Sequence, residues 1–552
     1  MIKYTNIIIG AGPAGIQLGY YFKEQNIEYI ILEKSDICGS FFSKFPLSGK
    51  LISINKKYTG SDIPDFNLRH DWNSLISDKK DLLFTNYSDD YYPDSEDLVK
   101  YLNDYARINE LNIKYGVNVT KVKKEKKDEK NEYVLMTTDK DNNLIEYRCD
   151  KLIVATGLSK PIMPDISADV ITDIKHYGQY EKNYFKKKEN IDKFRNKSLL
   201  IIGNGNAAYE LGNLLNNYCS TISIIGRGTK EWAMSTHYTG DLRSIYLPFM
   251  DTFLLKSLNS IDVAQFENGS RFNIDQQTEN DKYSISVMCK DAKCLIKHPF
   301  YSDTINGFDH IIYCTGWKFD TSIFDFKINL TKNDKYPEIL PHYESTNNND
   351  LYFVGALMHS FDFKKSSGGF IHGFRYLIKN FVNINYNISY TVGIFTNLNE
   401  LASKIFYKIN KTSPMYQMYG QICDFFYYDN EVNEILYYDD INIHFVLNNY
   451  FPMKTDKFFI VSLDYGEKKI TDIYEFGKFI PPVGSESTGT LLHPTLKVYT
   501  YNEKFLYDNP DKENSAHPLL IDEIHFNENL LANFSGFEKY FNKLFRSLKM
   551  FF

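Results

Sequence analysis

Apolar residues run in two rhythms along this chain, and the rhythm changes where glycines stand. Ile7-Ile8-Ile9 is an apolar run that opens into Gly10-Ala11-Gly12-Pro13-Ala14-Gly15 and then Gln17-Leu18-Gly19-Tyr20-Tyr21, which predicts strand, tight turn and helix. Glu28-Tyr29-Ile30-Ile31-Leu32-Glu33 predicts a second strand ending in a carboxylate. Between Asp94 and Ile108, Leu98, Tyr101, Leu102, Tyr105 and Ile108 fall at helical spacing and mark a core face. Strand signals from Ile113 to Val122 and from Tyr133 to Thr138 predict a small layered sheet, with the mixed-sign run Lys121 to Lys130 as its solvated hairpin. Leu152-Ile153-Val154 then predicts a buried strand that ends in the small-residue turn Ala155-Thr156-Gly157.

The plan then repeats. Asn196 to Ile202 predicts a new strand, Gly203-Asn204-Gly205-Asn206-Ala207-Ala208 a second glycine-spaced turn into a helix, and Thr221 to Ile225 the next strand. A polar, weakly patterned insertion reaches about His298, after which Ile311-Ile312-Tyr313-Cys314-Thr315-Gly316-Trp317 echoes the strand that ended at Gly157. Leu351 to Ala356 predicts a strand, and Ser366 to Tyr376 a glycine turn into a helix with His372 and Arg375 in its first turns. From about residue 390 the composition shifts to Tyr, Asn and Asp. Strand signals at Phe458 to Leu463 and Lys497 to Tyr501, and a final helix bearing Phe537, Tyr540, Phe541, Leu544, Phe545 and Leu548, predict a folded α+β unit with that helix docked on its own domain.

The fold class expected is α/β: two Rossmann-like dinucleotide-binding domains, the second inserted in the first, followed by a C-terminal α+β domain. The boundaries expected are 1–165 and 311–385 for the two parts of the first domain, 195–310 for the inserted one and 390–552 for the last. A chain of 552 residues is too long for one core, and 43% hydrophobic residues suffice for several. A net charge of -7 gives no electrostatic reason to expect nucleic acid. No stretch approaches the roughly 20 apolar residues of a membrane span, and no leader precedes the first strand, so the expected location is the cytoplasm. The seven cysteines are scattered, with no Cys-x-x-Cys, and the pair Cys289 and Cys294 stands far from any cofactor-facing segment. An autonomous thiol reductase, which needs a dithiol beside its cofactor, loses ground accordingly.

The glycine turns carry the chemistry. Gly10 permits the tight turn, Gly12 admits a pyrophosphate to bare backbone, Gly15 lets the helix lie close on its strand, and Glu33 stands where a ribose hydroxyl is expected. Ala208 replaces the third glycine in the second loop. Two such loops imply two dinucleotides and electron transfer between them. Arg227 stands where an NADH site would place an acid, and a guanidinium there matches a ribose 2′-phosphate, which points to NADPH. For the first cofactor, FAD, the expected contacts are Gly10, Gly12, Pro13, Ala14, Gly15, Glu33, Lys34, Ser40, Phe41, Val119, Ala155, Thr156, Gly157, Gly355 and Phe370. For NADPH they are Gly203, Gly205, Asn206, Ala207 and Arg227, and Thr315 and Gly316 are expected to bind cofactor as well. The loops at Gly39 to Phe42, Lys50 to Gly60 and Phe66 to Asn73 are expected to line the flavin pocket. The helix after Gly369 is expected to aim its N-terminus at the flavin, and His237 is expected to be a hydrogen-bonded loop residue before a proton donor. No metal site is expected.

Gly39-Ser40-Phe41-Phe42, Leu51 to Lys56, Tyr58-Thr59-Gly60, Asn67 through Leu75, Gly240-Asp241-Leu242-Arg243 and Gly368 through Tyr376 resemble the FAD-dependent oxidoreductase domain-containing protein 2 family. The likeness continues at Tyr416-Gln417-Met418, Asp464-Tyr465-Gly466 and Leu492-His493-Pro494. That family's known animal member is a flavoprotein of the endoplasmic reticulum linked to degradation of misfolded glycoproteins. Reticulum residence is not carried over, because the chain ends Lys549-Met550-Phe551-Phe552 without a retention signal. The layout also resembles the class B flavoprotein monooxygenases, whose Phe-x-Gly-x3-His-x3-aromatic fingerprint reads Val170, Thr172, His176, Tyr180 here, matching at the last two positions.

The resemblance implies oxygenation of a nucleophilic nitrogen or sulfur through a C4a-(hydro)peroxyflavin. Asn55 and Lys56 resemble the position of an amide that supports this adduct, and Arg69, His70 and Asp71 are candidates for substrate orientation and proton handling. The partners expected are molecular oxygen and a small-molecule substrate, or one presented on a carrier or peptide, with a candidate protein partner at the C-terminal domain. A redox partner passing electrons to another protein's disulfide and a non-catalytic flavin-bound scaffold are the alternatives.

Overall fold

A computed structural model describes residues 2–127, 130–163, 174–227, 231–248, 251, 261–266, 271–276, 282–288, 304–386, 388, 392–448, 450–451, 457–465, 492–500, 518–526 and 532–547. Val170, Thr172, Cys289, Cys294, His298, Gly466 and Leu548 lie outside them.

The run through Ile7-Ile8-Ile9 forms β1 (Ile2–Ile9), whose last four residues are buried as a strand covered on both faces requires. The glycine turn leads into α1 (Pro13–Glu24), with Pro13 at its first position, where a missing N–H costs nothing. β2 (Tyr29–Leu32), α2 (Ser95–Ile108), β3 (Ile113–Lys114), the hairpin β4 (Asn118–Lys127) and β5 (Lys130–Thr138), and β6 (Leu144–Val154) follow. The strand expected from Ile113 to Val122 is two strands, parted at Gly116, which takes a φ of 69°.

β1 lies between β2 and β6 and runs parallel to both, Ile8 facing Ile31 on one side and Ile153 on the other. In such a sheet, strand order reverses beside β1, and the crevice for a ligand opens at its carboxyl end. β7 (Lys160–Pro161) leaves this unit, and β8 (Lys175–His176), β9 (Ser198–Ile202), α3 (Asn206–Leu215), β10 (Thr221–Arg227), β11 (Ile261–Phe266) and β15 (His310–Tyr313) build the second one, in the order β11-β10-β9-β15-β8. Between β11 and β15, β12 (Arg271–Gln276), β13 (Tyr283–Met288) and β14 (Thr304–Phe308) pair as a separate antiparallel sheet.

The pairing of β15 with β9 moves one boundary. Residues 311–313 belong to the second sheet, not to the returning half of the first, and the seam is the ladder between β7 and β16 (Trp317–Lys318). The echo between the two strands has a physical reason. Each is the neighbour that its own glycine loop crosses: a Cβ on Gly10 would stand 3.0 Å from the carbonyl oxygen of Ala155, and one on Gly203 2.2 Å from that of Cys314. β17 (Glu344–Ser345) and β18 (Asn348–Phe353) then complete the first sheet, β18 parallel to β6, before α4 (Ile371–Asn385).

The last unit holds β19 (Val392–Phe395), α5 (Leu398–Lys411), β20 (Ile422–Asp429), β21 (Glu434–Asn442), β22 (Lys457–Tyr465), β23 (Leu492–Thr500), β24 (Leu519–His525) and α6 (Phe534–Ser547). Its six strands form one antiparallel sheet in the order β19-β21-β20-β22-β23-β24. Phe537, Phe541 and Phe545 are fully buried, Phe545 against Phe426 and Phe459 of the sheet, so the aromatic stripe of α6 is core. No helix among the described residues is long and apolar enough to cross a membrane.

Candidate functional site

Loops from both Rossmann-like units and from the start of α4 enclose one cavity of about 590 Å³. Gly12, Pro13 and Ala14 of the first glycine loop border it, and so do Asn206 and Ala207 of the second. Ala155, Thr156, Gly157, Gly316, Phe41 and Phe370 complete the expected contacts that reach it. Much of the remaining wall is apolar, from Phe42, Phe45, Leu51, Trp317, Ile371 and Phe374.

Other expected contacts stand behind the cavity or away from it. Gly10 and Gly15 shape the loop from below, a Cβ on Gly15 falling 2.0 Å from the Gly10 carbonyl oxygen. Gly203, at a φ of 126°, does the same for the second loop, and Gly355, at 73°, lets its chain pass Ala14. Glu33 is buried and accepts the backbone N–H groups of Ala11 at 2.7 Å and Ser35 at 2.8 Å, which fixes its carboxylate against the loop. Val119 is buried in the core, Ser40 begins a short helix, and Thr315 donates to the Ile162 carbonyl. Lys34 and Gly205 are exposed, and so is Arg227 at the end of β10, which is not among the residues lining the cavity.

None of the five expected catalytic residues borders the cavity. Asn55 is buried and donates to the carbonyls of Ser88 at 2.7 Å and Asp90 at 3.2 Å, and Lys56 points to solvent. Arg69 donates to the carbonyls of Thr412 at 2.8 Å and Ile409 at 3.0 Å and packs on the rings of Phe66 and Tyr416, clamping the C-terminal unit to the first. His70 packs on Phe66, and burial pushes its pKa down. Asp71 is buried and accepts the N–H groups of Asn73 and Ser74 and the Ser74 hydroxyl. Asn55, Arg69 and Asp71 satisfy backbone groups that a buried turn would otherwise orphan, and in this structure their side chains serve the loop. Their effect is to hold Trp72 and Asn73 at the cavity. Arg375 completes the hold, donating to the carbonyls of Leu68, Asp71 and Ser74.

Beside Thr156 and Asn206, further polar side chains of the cavity come from outside the two glycine turns, Trp72 and Asn73 from the loop expected to line the flavin pocket and His372 from the turn into α4. Arg243, His372, Glu210, Lys335, Trp72 and Asn73 all border the cavity. Glu210 accepts the Ser48 N–H at 2.6 Å and the Tyr177 hydroxyl at 2.7 Å, while burial raises its pKa. Lys335 stands 4.6 Å from the centre of the Phe363 ring, and burial, with Lys364 nearby, brings its pKa down to about 8. Asn206 turns its side chain away to hold the 240–243 loop, donating to the Asp241 carbonyl at 2.9 Å and accepting the Arg243 N–H at 2.9 Å. His237 stacks on Tyr465 of the C-terminal sheet and lies off the cavity wall. His176 accepts the Gly178 N–H and meets Trp317 edge-on, with burial lowering its pKa to about 4.

Residues 7–355 match the family model described as pyridine nucleotide-disulphide oxidoreductase. The chain is 30% identical over 524 residues to FAD-dependent oxidoreductase domain-containing protein 2 of Mus musculus, covering 90% of this chain and 76% of the mouse protein. The chain belongs to the FAD-dependent oxidoreductase domain-containing protein 2 family. The family's Danio rerio protein is 32% identical over 463 residues, which span 77% of this chain and 65% of that one. Among solved structures, DfoA bound to FAD, a cadaverine monooxygenase of Erwinia amylovora, shares the fold at a TM-score of 0.51 and 14% identity, over 69% of this chain and 94% of its own. The family member described here is therefore an FAD-dependent oxidoreductase.

The residues present fit the cofactor. A Cβ on Gly12 would meet nothing within 4 Å, so the loop leaves open space at the N-terminus of α1, where unpaired N–H groups attract a phosphate. Gly157, at a φ of 62°, is equally open. Glu33, with one backbone N–H on each oxygen, keeps further lone pairs free to accept.

Proposed function

We propose that this protein uses NADPH to reduce its flavin and then oxygenates a nucleophilic nitrogen or sulfur centre of a substrate held in the cavity. The observation that carries this reading is that one cavity touches both phosphate loops, at Gly12 to Ala14 and at Asn206 and Ala207. FAD, when bound, supplies two-electron redox chemistry and, once reduced, reactivity toward oxygen. The first glycine loop and Glu33 hold that cofactor, the start of α4 favours negative charge beside it, and the second loop holds the electron donor. Phe42, Phe45, Leu51, Trp317 and Phe374 keep water from the reacting centre.

None of the five described cysteines borders the cavity, and burial raises the thiols of Cys38 to about 11 and Cys219 to about 12, away from reactivity. Among the described residues, that counts against a dithiol of this chain as the electron acceptor. The substrate of this reading is a small molecule or a group presented on a carrier or peptide, and the C-terminal unit, clamped beside the cavity loops by Arg69, is where a presenting partner would dock.

The test mixes flavin-loaded protein with NADPH. Bleaching without oxygen is expected, followed in air by recolouring with less peroxide released than NADPH consumed when a small amine or thioether acceptor is present. Recolouring only by a disulfide protein, or no bleaching, overturns the reading. The choice of NADPH is tested separately. Arg227→Ala is expected to weaken NADPH binding about 10- to 100-fold, the loss of a charge-assisted phosphate contact, while NADH binding moves less than about threefold. Equal losses for the two nucleotides would remove Arg227 from the site.

A further inference from the structure

The cavity holds charge and hydrogen-bonding capacity that the described residues leave uncompensated. Arg243 is only 8% exposed, yet its side chain makes a single hydrogen bond, donating to the Ile52 carbonyl at 2.8 Å, and lies 5.0 Å from the centre of the Trp72 ring. No carboxylate stands within ion-pair distance of it among the described residues, and its electrostatic neighbours include the phenols Tyr92, Tyr91 and Tyr246 and the imidazole of His372. His372 stacks on the same Trp72 ring at 4.3 Å and 20°, is 1% exposed, and has no partner on either ring nitrogen among the described residues. Buried cations are ordinarily paired and buried imidazoles ordinarily hydrogen-bonded. Arg243, Trp72 and His372 come from three distant segments and converge on one cavity wall. His372 also belongs to the first turn of α4, a 15-residue helix whose N-terminus favours negative charge.

We propose that Arg243 and His372 form an anion-binding subsite that receives a carboxylate or other acidic group of the substrate, with the Trp72 ring supporting both. The proposal rests on the reading of the cavity as the place where substrate is oxidised, and adds that the substrate is acidic. The guanidinium presents a planar fork to the two oxygens, and the imidazole adds one N–H donor. The phosphates of the nicotinamide nucleotide offer the same chemistry, since the main chain of Arg243 is tied to Asn206 beside the second loop. The guanidinium, however, reaches across to Ile52 and Trp72 of the first unit, which favours the substrate.

The flavin-loaded protein is titrated with benzoate, benzamide and NADP+, following flavin absorbance and binding heat. Benzoate is expected to bind at least about tenfold more tightly than benzamide, a neutral molecule of the same shape. Arg243→Met is expected to abolish that preference, Arg243→Lys to keep part of it, and NADP+ affinity to move less than about threefold in either. No preference in the unmodified protein, no benzoate binding, or an Arg243→Met variant that loses NADP+ as strongly as benzoate overturns the proposal. The comparison of benzoate with benzamide needs no variant to fold. Reduction by NADPH is followed on the same samples: a protein that prefers benzoate but is not bleached keeps the subsite and refutes the electron-donor reading.

Discussion

Gly12→Ala is expected to yield a folded apoprotein that binds FAD at least about tenfold more weakly, and Gly15→Val a protein that takes up no flavin at all. The two glycines differ in what surrounds them. At Gly12 an added methyl meets nothing in the chain within 4 Å, so the variant's apoprotein has no reason to unfold, and its methyl occupies space that the cofactor needs. At Gly15 a Cβ would stand 2.0 Å from the carbonyl oxygen and 3.1 Å from the carbonyl carbon of Gly10, both backbone atoms that cannot swing aside as a side chain can. Relief requires α1 to move off β1, which takes its buried Ile16, Leu18 and Phe22 with it. Flavin absorbance after purification and thermal melts of the apoproteins check both. A Gly12→Ala protein with undiminished FAD affinity would mean that the first loop does not hold the pyrophosphate.

The same contrast marks what the sequence makes legible. Both glycine loops are plain in it because a turn that must pass under a neighbouring carbonyl tolerates only glycine, and short apolar runs flanked by such glycines read as buried strands. The boundary at 311 was not legible, because Thr156-Gly157 and Thr315-Gly316 perform one task in two different sheets, and likeness of sequence does not say which sheet a strand joins. The cluster Arg69, His70 and Asp71 is ambiguous in sequence for another reason. Polar side chains that serve backbone carbonyls and amides look the same in sequence as those that serve a substrate, and only the fold shows Asp71 closed on Ser74 while Trp72 faces the cavity. Arg243 carries a fainter signal: it ends the Gly240-Asp241-Leu242-Arg243 segment, whose main chain is fastened to the second phosphate loop through Asn206.

The C-terminal unit buries the cation Lys408 among carboxylates, and Lys408→Met is expected to destabilise the protein by about 3–5 kcal/mol. Lys408, 6% exposed near the end of α5, stands 2.7 Å from a carboxylate oxygen of Asp440, 3.6 Å from one of Asp439 and 3.7 Å from one of Asp424, which is fully buried. Those carboxylates hold Lys408 charged, with its pKa raised, and burial raises the pKa of Asp424. Methionine fills similar volume but leaves Asp424 without its cation, so the folded variant favours the protonated acid more strongly still. A carboxyl whose pKa is higher in the folded than in the unfolded chain contributes stability below the unfolded value, near 4, and loses it as pH rises through the folded one. The deficit relative to the unmodified protein should therefore be smallest at acid pH and grow toward neutrality, and Asp424→Asn in the same chain should recover much of it. Urea melts at pH 5 and pH 8 measure this. A pH-independent deficit would place the cost in lost packing instead. Because Arg69 of the first unit bonds the carbonyls of Ile409 and Thr412, just beyond Lys408, loosening this end of α5 should also release the loop that holds Trp72. The flavin absorbance of Lys408→Met at pH 8 should then shift before global unfolding, tying the C-terminal unit to the cavity through its packing.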